Sequence, residues 1–284
     1  MKYAKALLAA ASALTMAAAL TACGVGATPS SPAPGGESTG SPSGGKIVIG
    51  VKFDQPGLGL KEGDTNTGFD VEVAKYVAGK LGYTEIEFKE SPSAQRETLI
   101  ESDQVQMVFA TYSITDARKE KISFAGPYFI AGQDLLVLAT NTDITGPETL
   151  GGKKLCSVTG STSAQKVHDQ YPDVQLQEYD TYSKCVEALA SGTIDAVTTD
   201  DVILAGFAAQ AQYAGKLKVV GAPFSEERYG VGIKKGDTEF CGKINDALKE
   251  MVDSGEWQKA LDATVGPSGF KPSAANPPAT DACA

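Results

Sequence analysis

The stretch GFDVEVAKYVAGKLG, from Gly68 to Gly82, decides the fold of this 284-residue chain. Its large apolar residues recur at every fourth position: Phe69, Val73, Val77 and Leu81. This spacing places them on one face of an α-helix, and a glycine is common directly after a helix. The stretch therefore predicts a helix that packs one apolar face against a core.

Short apolar runs lie before and after this helix, and further helical patterns separate several of them. The runs are Lys46–Val51, Gln106–Thr111, Leu135–Thr140, Lys153–Val158, Ile194–Thr199 and Leu217–Gly221. The further helical patterns lie at Cys185–Leu189 and Thr238–Thr264. This alternation predicts an α/β fold with mostly parallel sheets that helices cover on both faces. In such sheets, ligands bind beyond the carboxyl ends of the strands.

The first residues form an export signal rather than part of the fold. A positively charged start is followed by small and apolar residues from Ala6 to Leu20, a run too short for an ordinary membrane-spanning helix. We interpret residues 1–22 as a signal peptide. The segment Leu20-Thr21-Ala22-Cys23 is similar to a bacterial lipoprotein cleavage box, which makes Cys23 the expected lipid-modified residue. The alternative is a plain signal peptide with an incidental cysteine.

Two low-complexity segments flank a body of 220 residues, from 46 to 265. Between Gly24 and Gly45 there are 7 Gly, 5 Ser and 4 Pro, so residues 23–45 are predicted to be a disordered linker that holds the body near a membrane. Residues 266–284 carry four prolines and are predicted to be a loose tail. The body is long enough for one large or two medium α/β domains.

Charge and residue content argue against nucleic-acid and metal binding. The formal net charge of −10 becomes −12 once Lys2 and Lys5 leave with the signal peptide, and no block of Lys and Arg occurs. A zinc site is not indicated, because there is no CxxC motif and His168 is the only histidine. No cofactor is expected.

Four cysteines remain when Cys23 is set aside. An even number in an exported chain suggests two disulfides. Three pairings are possible from the sequence alone. We favour the pairing of Cys156 with Cys185, within one domain, and of Cys241 with Cys283, which would pin the tail.

Three motifs resemble the polar-amino-acid-binding proteins of ABC importers. They are the stretch quoted first, the pattern S-I-T-x-x-R-x-x-x-x-x-F from Ser113 to Phe124, and I-D-A-V-x-x-D from Ile194 to Asp200. The resemblance covers nearly all of residues 46–265 and keeps the order and spacing of the motifs. Ser93-x-x-Arg96 and the segment ATYSIT resemble glutamate-binding lipoproteins in particular.

The resemblance implies a two-lobed, type II periplasmic-binding-protein fold with two hinge crossings. The first lobe is expected over residues 46–127 and 230–265, and the second over 132–224. Residues 128–131 and 225–229 are the expected hinges. The ligand would lie in the cleft and bridge both lobes.

The resemblance also implies that Arg118 holds the α-carboxylate of the ligand, helped by the Ser113 hydroxyl and the backbone near Ala110 and Thr111. The chemistry agrees, since a buried unpaired charge costs several kcal/mol and a guanidinium can grip a carboxylate with two parallel hydrogen bonds. The alternative for Arg118 is a surface arginine in a charged turn.

In the second half, Asp200 is expected to hold the ligand ammonium. The competing interpretation is that Asp200 or Asp201 caps the following helix. Ser161 and Thr162 open a predicted helix whose N-terminus attracts a carboxylate. Thr162 with Gln165 also fits a capping box.

Lys52 and Arg96 are expected to neutralise a distal carboxylate of the ligand, as basic residues do at these positions in glutamate and aspartate binders of the family. Ser93 stands where many neutral or cationic binders carry an aromatic residue. Glutamate therefore fits better than glutamine or arginine. The alternatives are an exposed helix residue for Arg96 and a solvated strand end for Lys52.

The expected function is therefore a monomeric extracytoplasmic lipoprotein, not an enzyme, that captures L-glutamate, aspartate or glutamine for an ABC permease and ATPase. A sensor that reports ligand occupancy to a membrane partner is one alternative. A dehydratase-like enzyme on the same fold is the other, and it requires a general acid or base aimed at the substrate.

Overall fold

A computed structural model of the protein describes residues 45–283. The strands in this range are β1 Lys46–Val51, β2 Asp54–Gln55, β3 Gly59–Glu62, β4 Thr65–Thr67, β5 Glu85–Glu90, β6 Met107–Phe109, β7 Ser123–Ala131, β8 Gln133–Leu138, β9 Lys154–Val158, β10 Gln175–Tyr179, β11 Ala196–Asp200, β12 Leu217–Val219 and β13 Glu227–Ile233. The α-helices are α1 Phe69–Lys80, α2 Arg96–Glu101, α3 Asp116–Lys119, α4 Thr162–Gln170, α5 Tyr182–Ala190, α6 Asp201–Ala209, α7 Thr238–Asp253 and α8 Glu256–Thr264. Short 3₁₀ helices lie at Ser93–Gln95, Pro147–Thr149 and Gly266–Ser268.

The predicted signal peptide and the lipidation site at Cys23 lie outside the described residues, as does the linker apart from Gly45. Within residues 45–283, no helix has the length and apolar character needed to cross a membrane.

Helix α1 confirms the helix predicted from the repeat of apolar residues. Phe69, Val73 and Val77 are fully buried on its inner face. The ring of Phe69 packs edge-on against Phe129 and Trp257, with centroids 5.7 and 5.5 Å apart. Aromatic pairs of this kind add about 0.5–1.5 kcal/mol to the burial of their area, so α1 is firmly attached to the core.

The first large sheet has the strand order β5-β1-β6-β13-β7. Strand β1 pairs in parallel with β5 and β6, whereas β13 runs antiparallel to β6 and β7. Strands β2, β3 and β4 form a separate small antiparallel sheet. The carboxyl ends of β1, β5 and β6 therefore lie at one edge of the first sheet.

The second large sheet has the order β10-β9-β11-β8-β12. Strand β9 is parallel to β10 and β11, and β8 is antiparallel to β11 and β12. Cys156 on β9 and Cys185 on α5 form one of the two favoured disulfides, which spans 29 residues. Closing a loop of this length contributes roughly 3–4 kcal/mol on the chain-entropy estimate.

The prediction of mostly parallel sheets is wrong. In the two large sheets of the described chain, four pairings are parallel and four are antiparallel. The antiparallel pairings all involve β8 or β13, the strands that follow directly after the chain passes from one sheet to the other. Their direction is set by the crossing rather than by a helix between parallel strands.

The chain passes between the two large sheets twice, through Gly132 between β7 and β8 and again between β12 and β13. The expected hinges, 128–131 and 225–229, fall at the end of β7 and the start of β13. Here the two strands pair with each other, with Arg228 opposite Ile130. The predicted boundaries of the lobes remain a prediction.

The C-terminal tail, expected to be loose, is held against the body over residues 266–283. Cys283 is disulfide-bonded to Cys241 on α7, which is the other favoured pair. The Asn276 amide accepts from the Ile130 backbone N–H and donates to the Ile130 carbonyl, both at 2.8 Å. The tail therefore covers the outer edge of β7, an edge strand of the first sheet.

Candidate ligand-binding site

A small cavity lies where the strand ends of the two large sheets face each other. It is lined from the first side by Ser93, Arg96 and Thr111, and from the second by Ser161, Thr162, Ser163, Tyr182, Thr199, Asp200 and Ile203. The remaining predicted residues are joined to this set by hydrogen bonds: Lys52, Ala110, Ser113 and Arg118. The structure thus brings all the predicted ligand residues together. Among the predicted ligand residues, we call the following the first wall: Lys52, Ser93, Arg96, Ala110, Thr111, Ser113 and Arg118. We call Ser161, Thr162 and Asp200 the second wall.

Arg118 lies on the short helix α3 and is only 9% exposed, which excludes the surface alternative. Its guanidinium donates to the Ser113 carbonyl at 2.7 Å and to the Gly160 carbonyl at 3.1 Å. Nε lies 3.4 Å from a carboxylate oxygen of Glu97. Burial, with Arg96 nearby, lowers the pKa of Arg118 to about 10, so the side chain stays charged at neutral pH.

Thr111 has a backbone φ of 45°, a left-handed conformation that is uncommon for a residue other than glycine. Its N–H donates to the buried carboxylate of Asp70 at 2.8 Å, and Asp70 also accepts from the Tyr128 hydroxyl at 2.8 Å. The Thr111 hydroxyl lies 3.2 Å from the Gln55 side chain. Asp70 therefore holds the turn that carries Thr111 into the cavity.

Lys52 and Arg96 are buried, at 4% and 2% exposure, so neither the solvated strand end nor the exposed helix residue is correct. The Lys52 ammonium donates to the Ser93 hydroxyl at 2.8 Å. Arg96 donates to the Ala110 carbonyl at 2.9 Å and lies over the Tyr112 ring. Burial, reinforced by Arg96, lowers the pKa of Lys52 to about 7.

The second wall begins at the N-terminus of α4. Ser161 is the capping residue, and its hydroxyl accepts from the Ala164 N–H at 3.0 Å. The capping box predicted for Thr162 and Gln165 is therefore wrong, because the helix begins one residue earlier than that motif requires. Thr162 instead points its hydroxyl across the cleft, 3.4 Å from the hydroxyl of Ser113.

Asp200 and Asp201 have different partners at the start of α6. Asp200 is the N-cap residue of α6, but its side chain makes no capping hydrogen bond. Asp201, the first residue of the helix, accepts from the Val202 N–H at 2.7 Å and from the Gly132 N–H at 3.2 Å. Asp200 accepts from the Tyr229 hydroxyl at 2.6 Å through Oδ2, while Oδ1 has no hydrogen-bond partner in the described chain. Burial raises the pKa of Asp200 well above its usual range. Asp200 is thus the carboxylate that faces the cavity.

Comparison with known proteins identifies the family. Residues 47–266 match the family model of the bacterial extracellular solute-binding proteins, family 3. The chain belongs to this family. The glutamate-binding protein GluB of Corynebacterium efficiens is 49% identical over 235 residues, covering 78% of this chain and 79% of GluB. The ABC transporter glutamine-binding protein GlnH of Bacillus subtilis is 36% identical over 219 residues, covering 75% and 79%.

Solved structures agree with this placement. An ancestral arginine-binding protein bound to glutamine superposes with a TM-score of 0.73 at 36% identity, and the match covers 78% of this chain and 98% of that one. The fold of this family 3 protein is accordingly the two-lobed, type II arrangement. Its two large sheets are the cores of the two lobes.

Several residues of this family 3 site were missed from the sequence. Asp70 lies within the first motif but was noted only as part of the helix. Tyr112 lies under both Arg96 and Arg118, with distances of 4.1 and 4.9 Å from the guanidinium carbons to the ring centroid. Glu227 on β13 is buried and accepts hydrogen bonds from second-lobe and crossing residues: Thr162, Lys166 and Ser225. No local pattern predicts the contacts of Asp70 with Thr111 and Tyr128 or of Glu227 with Thr162 and Lys166, because these partners are 41 or more residues apart.

The two lobes touch directly at the mouth of the site. Gly160 has a φ of 77°, and a Cβ at this position would lie 2.7 Å from Cα of Ala94 in the first lobe. The Ser183 N–H also donates across the cleft to Asp54 at 3.2 Å. The structure therefore shows this family 3 protein with its cleft closed. Within residues 45–283, no group of three or more His, Cys, Asp or Glu side chains is placed to hold a metal ion.

Proposed function

We propose that this protein captures L-glutamate, with aspartate and glutamine as weaker candidates. The proposal depends on the burial of three cations, Lys52, Arg96 and Arg118, opposite Asp200. One carboxylate oxygen of Asp200, Oδ1, has no hydrogen-bond partner within residues 45–283. Glutamate brings two carboxylates and one ammonium, so its charges complement this arrangement. The names of the GluB and GlnH relatives support the same ligand class.

The roles follow from which group each residue can pair. Arg118, Ser113 and the N-terminus of α4 at Thr162 surround one end of the cavity, which we assign to the α-carboxylate. Asp200, whose Oδ1 has no hydrogen-bond partner within residues 45–283, suits the ammonium. Lys52, Ser93 and Arg96 form the other end, which we assign to the distal carboxylate. Because the mature chain is acidic overall, these local cations must overcome long-range repulsion of the ligand.

We further propose that a lipid at Cys23 and the linker 23–45 hold the protein outside the cytoplasm on the cell membrane. The lobes over 46–127 with 230–265 and over 132–224 close on the ligand by bending at 128–131 and 225–229. Ligand that contacts both lobes shifts the equilibrium towards the closed form. A permease and its ATPase then receive the ligand from the closed monomer.

The rival functions differ in what they need beyond binding. A dehydratase requires a positioned acid or base. The buried carboxylates Asp70 and Glu227 are each occupied by protein donors, which leaves Asp200 as the candidate in the cavity, and we assign Asp200 to the ligand ammonium. A sensor would use the same ligand and the same closure. Formation of a product from an amino acid would favour the enzyme, and genes for a permease and an ATPase beside this one would favour transport.

A thermal-shift screen of the mature chain against the twenty amino acids tests the proposal. A ligand at a hundredfold its Kd stabilises the folded state by about 2.7 kcal/mol, so binding gives a clear rise in Tm. We expect glutamate to give the largest rise and lysine or arginine to give little. Stabilisation by arginine in place of glutamate, or by no amino acid, would refute the assignment.

A further inference from the structure

Tyr128 and Tyr229 lie on the two strands by which the chain passes between the lobes. Tyr128 is on β7 and Tyr229 is on β13, which pair antiparallel with Tyr229 opposite Phe129. Both tyrosines are buried, and their ring centroids are 6.3 Å apart. The two phenol groups are thus neighbours at the crossing, although Tyr229 bonds to Asp200 in the second wall and Tyr128 bonds to Asp70, which supports the first wall.

Tyr229 bonds to the second wall. Its hydroxyl donates to Oδ2 of Asp200 at 2.6 Å, and Oδ1 of the same carboxylate has no hydrogen-bond partner within residues 45–283. A carboxylate that is held through one oxygen presents the other in a fixed direction. Oδ1 is therefore the oxygen left for a cation in the cavity that Asp200 lines.

Tyr128 bonds in a corresponding way to Asp70, the carboxylate that supports Thr111 of the first wall. Its hydroxyl donates to Oδ1 of Asp70 at 2.8 Å, and Oδ2 of Asp70 accepts from the N–H of Thr111 at 2.8 Å. The unusual φ of Thr111 makes this backbone dependent on the support of Asp70. Tyr128 differs from Tyr229 in that its carboxylate does not face the cavity.

We propose that Tyr229 is a positioning residue for the ligand ammonium, which it serves by holding Oδ2 of Asp200 so that Oδ1 faces the cavity. The proposal rests on the proposed function, since it needs an amino acid in the cavity. Tyr128 is the matched phenol that supports the opposite wall without touching the ammonium site. One crossing strand thereby connects directly to the group that senses the ligand charge.

The surroundings of Asp200 make this hydrogen bond important. Titratable groups face Asp200 from four elements: Tyr229 and Glu227 from β13, Lys166 from α4, Tyr182 from α5 and Asp201 from α6. Arg96 lines the same cavity from the first wall. Burial and then Glu227 raise the pKa of Asp200, whereas the bond from Tyr229 lowers it. Loss of the phenol therefore raises the pKa of Asp200 further. On acidification, Asp200 then becomes protonated, and stops pairing with the ammonium, at a higher pH than in the wild type.

The test is the pH dependence of glutamate affinity, measured by isothermal titration calorimetry on mature wild-type protein, Tyr229→Phe and Tyr128→Phe. We expect Tyr229→Phe to bind about 10- to 100-fold more weakly at pH 7, the range for a hydrogen bond to a charged group. We also expect its loss of affinity on acidification to begin at a higher pH than in wild type. Tyr128→Phe should change the pH profile less than Tyr229→Phe does, because Asp70 supports Thr111 and does not face the cavity.

A double-mutant cycle with Asp200→Asn separates positioning from general damage. If Tyr229 acts through Asp200, adding Tyr229→Phe to Asp200→Asn causes little further loss. The Phe ring keeps the packing against Phe129, so folding is expected, and circular dichroism checks it. Should the variant not fold, a protected hydroxyl proton of Tyr229 in the nuclear magnetic resonance spectrum, lost in Asp200→Ala, reports the same contact.

Each result has a defined meaning. Unchanged affinity and pH profile in Tyr229→Phe, or equal pH shifts in both tyrosine variants, overturn the inference while leaving glutamate binding intact. Absence of the hydroxyl resonance in a folded wild type does the same. If wild type binds none of the amino acids, the proposed function fails and this inference fails with it.

Discussion

The two walls of the site differ in the kind of charge they carry. The first wall holds three buried cations, Lys52, Arg96 and Arg118, and each of them donates to an oxygen of the protein. The second wall offers hydroxyls, a helix N-terminus and the carboxylate of Asp200. This difference supports the proposal that the first wall binds the anionic groups of the ligand and that Asp200 in the second wall pairs with its ammonium.

Buried cations are costly unless an anion accompanies them. Few anions lie beside the first wall: Asp70 is occupied by Thr111 and Tyr128, and Glu97 lies beside Arg118 and Tyr112. A ligand with two carboxylates would supply the missing charge. We therefore expect changes in the first wall to reduce affinity more than changes in the hydroxyls of the second.

The largest expected effect comes from Arg118→Ala. Removing the guanidinium leaves the ligand α-carboxylate unpaired, so the affinities for glutamate and glutamine should both fall by about 3–5 kcal/mol, more than a hundredfold. Titration calorimetry measures the loss. Lys119→Ala is the matched control, since its side chain is exposed. A loss of tenfold or less for Arg118→Ala would break the distinction between the walls.

The second-largest effect is expected in the pH dependence of glutamate affinity, which Lys52 in the first wall controls. Lys52 has its pKa lowered from 10.5 to about 7 by burial, so the unliganded lysine loses its charge as the pH rises above about 7. Glutamate must then bind together with one proton, and its affinity should fall about tenfold per pH unit above pH 7. The affinity for glutamine should change far less. Lys52→Met should remove the difference in slope, and identical slopes for the two ligands in wild type would refute this role.

Arg96→Ala should change selectivity rather than abolish binding. Its guanidinium is assigned to the distal carboxylate, so the preference for glutamate over glutamine should fall roughly tenfold, equivalent to about 1.4 kcal/mol. Competition titrations with both ligands measure the ratio, with Arg96→Lys as the variant that keeps the charge. Equal weakening of both ligands would contradict the assignment to the distal end.

The smallest effect is expected in the second wall. Thr162→Val removes a hydroxyl that donates to Glu227 at 3.0 Å and lies near Ser113. One such hydrogen bond contributes about 0.5–1.5 kcal/mol, so both ligands should weaken by roughly two- to tenfold. Thr142→Val, in an exposed loop of the same lobe, serves as the control for the change of side chain. A loss as large as that of Arg118→Ala would show that the walls contribute equally.

Much of the fold could be predicted because it depends on local patterns. The four-residue repeat of Phe69, Val73 and Val77 specified α1, since helical geometry alone places these side chains on one face. The predicted apolar runs all contain or overlap strands. The direction of β8 and β13 could not be predicted, because a strand shows the same pattern of residues whichever way it runs.

The predicted site residues were found together because each follows a strand or opens a helix at the same edge of its sheet. Their burial was not evident from the sequence: Lys52 and Arg96 could equally have been surface residues. The roles of Asp70, Glu227 and Tyr229 were missed for a related reason. Their partners Thr111, Thr162 and Asp200 lie at least 29 residues away, beyond any periodic signal.

The sequence by itself determined the types of charge available for binding, the order of the motifs and the helix at Gly68–Gly82. These properties depend on residue identity and on spacing within one element. Only the tertiary structure decided which charges are buried, which oxygen of Asp200 stays free and where the tail is held. Those outcomes depend on how two crossing strands bring distant segments together, because burial and hydrogen bonding are properties of neighbours in space.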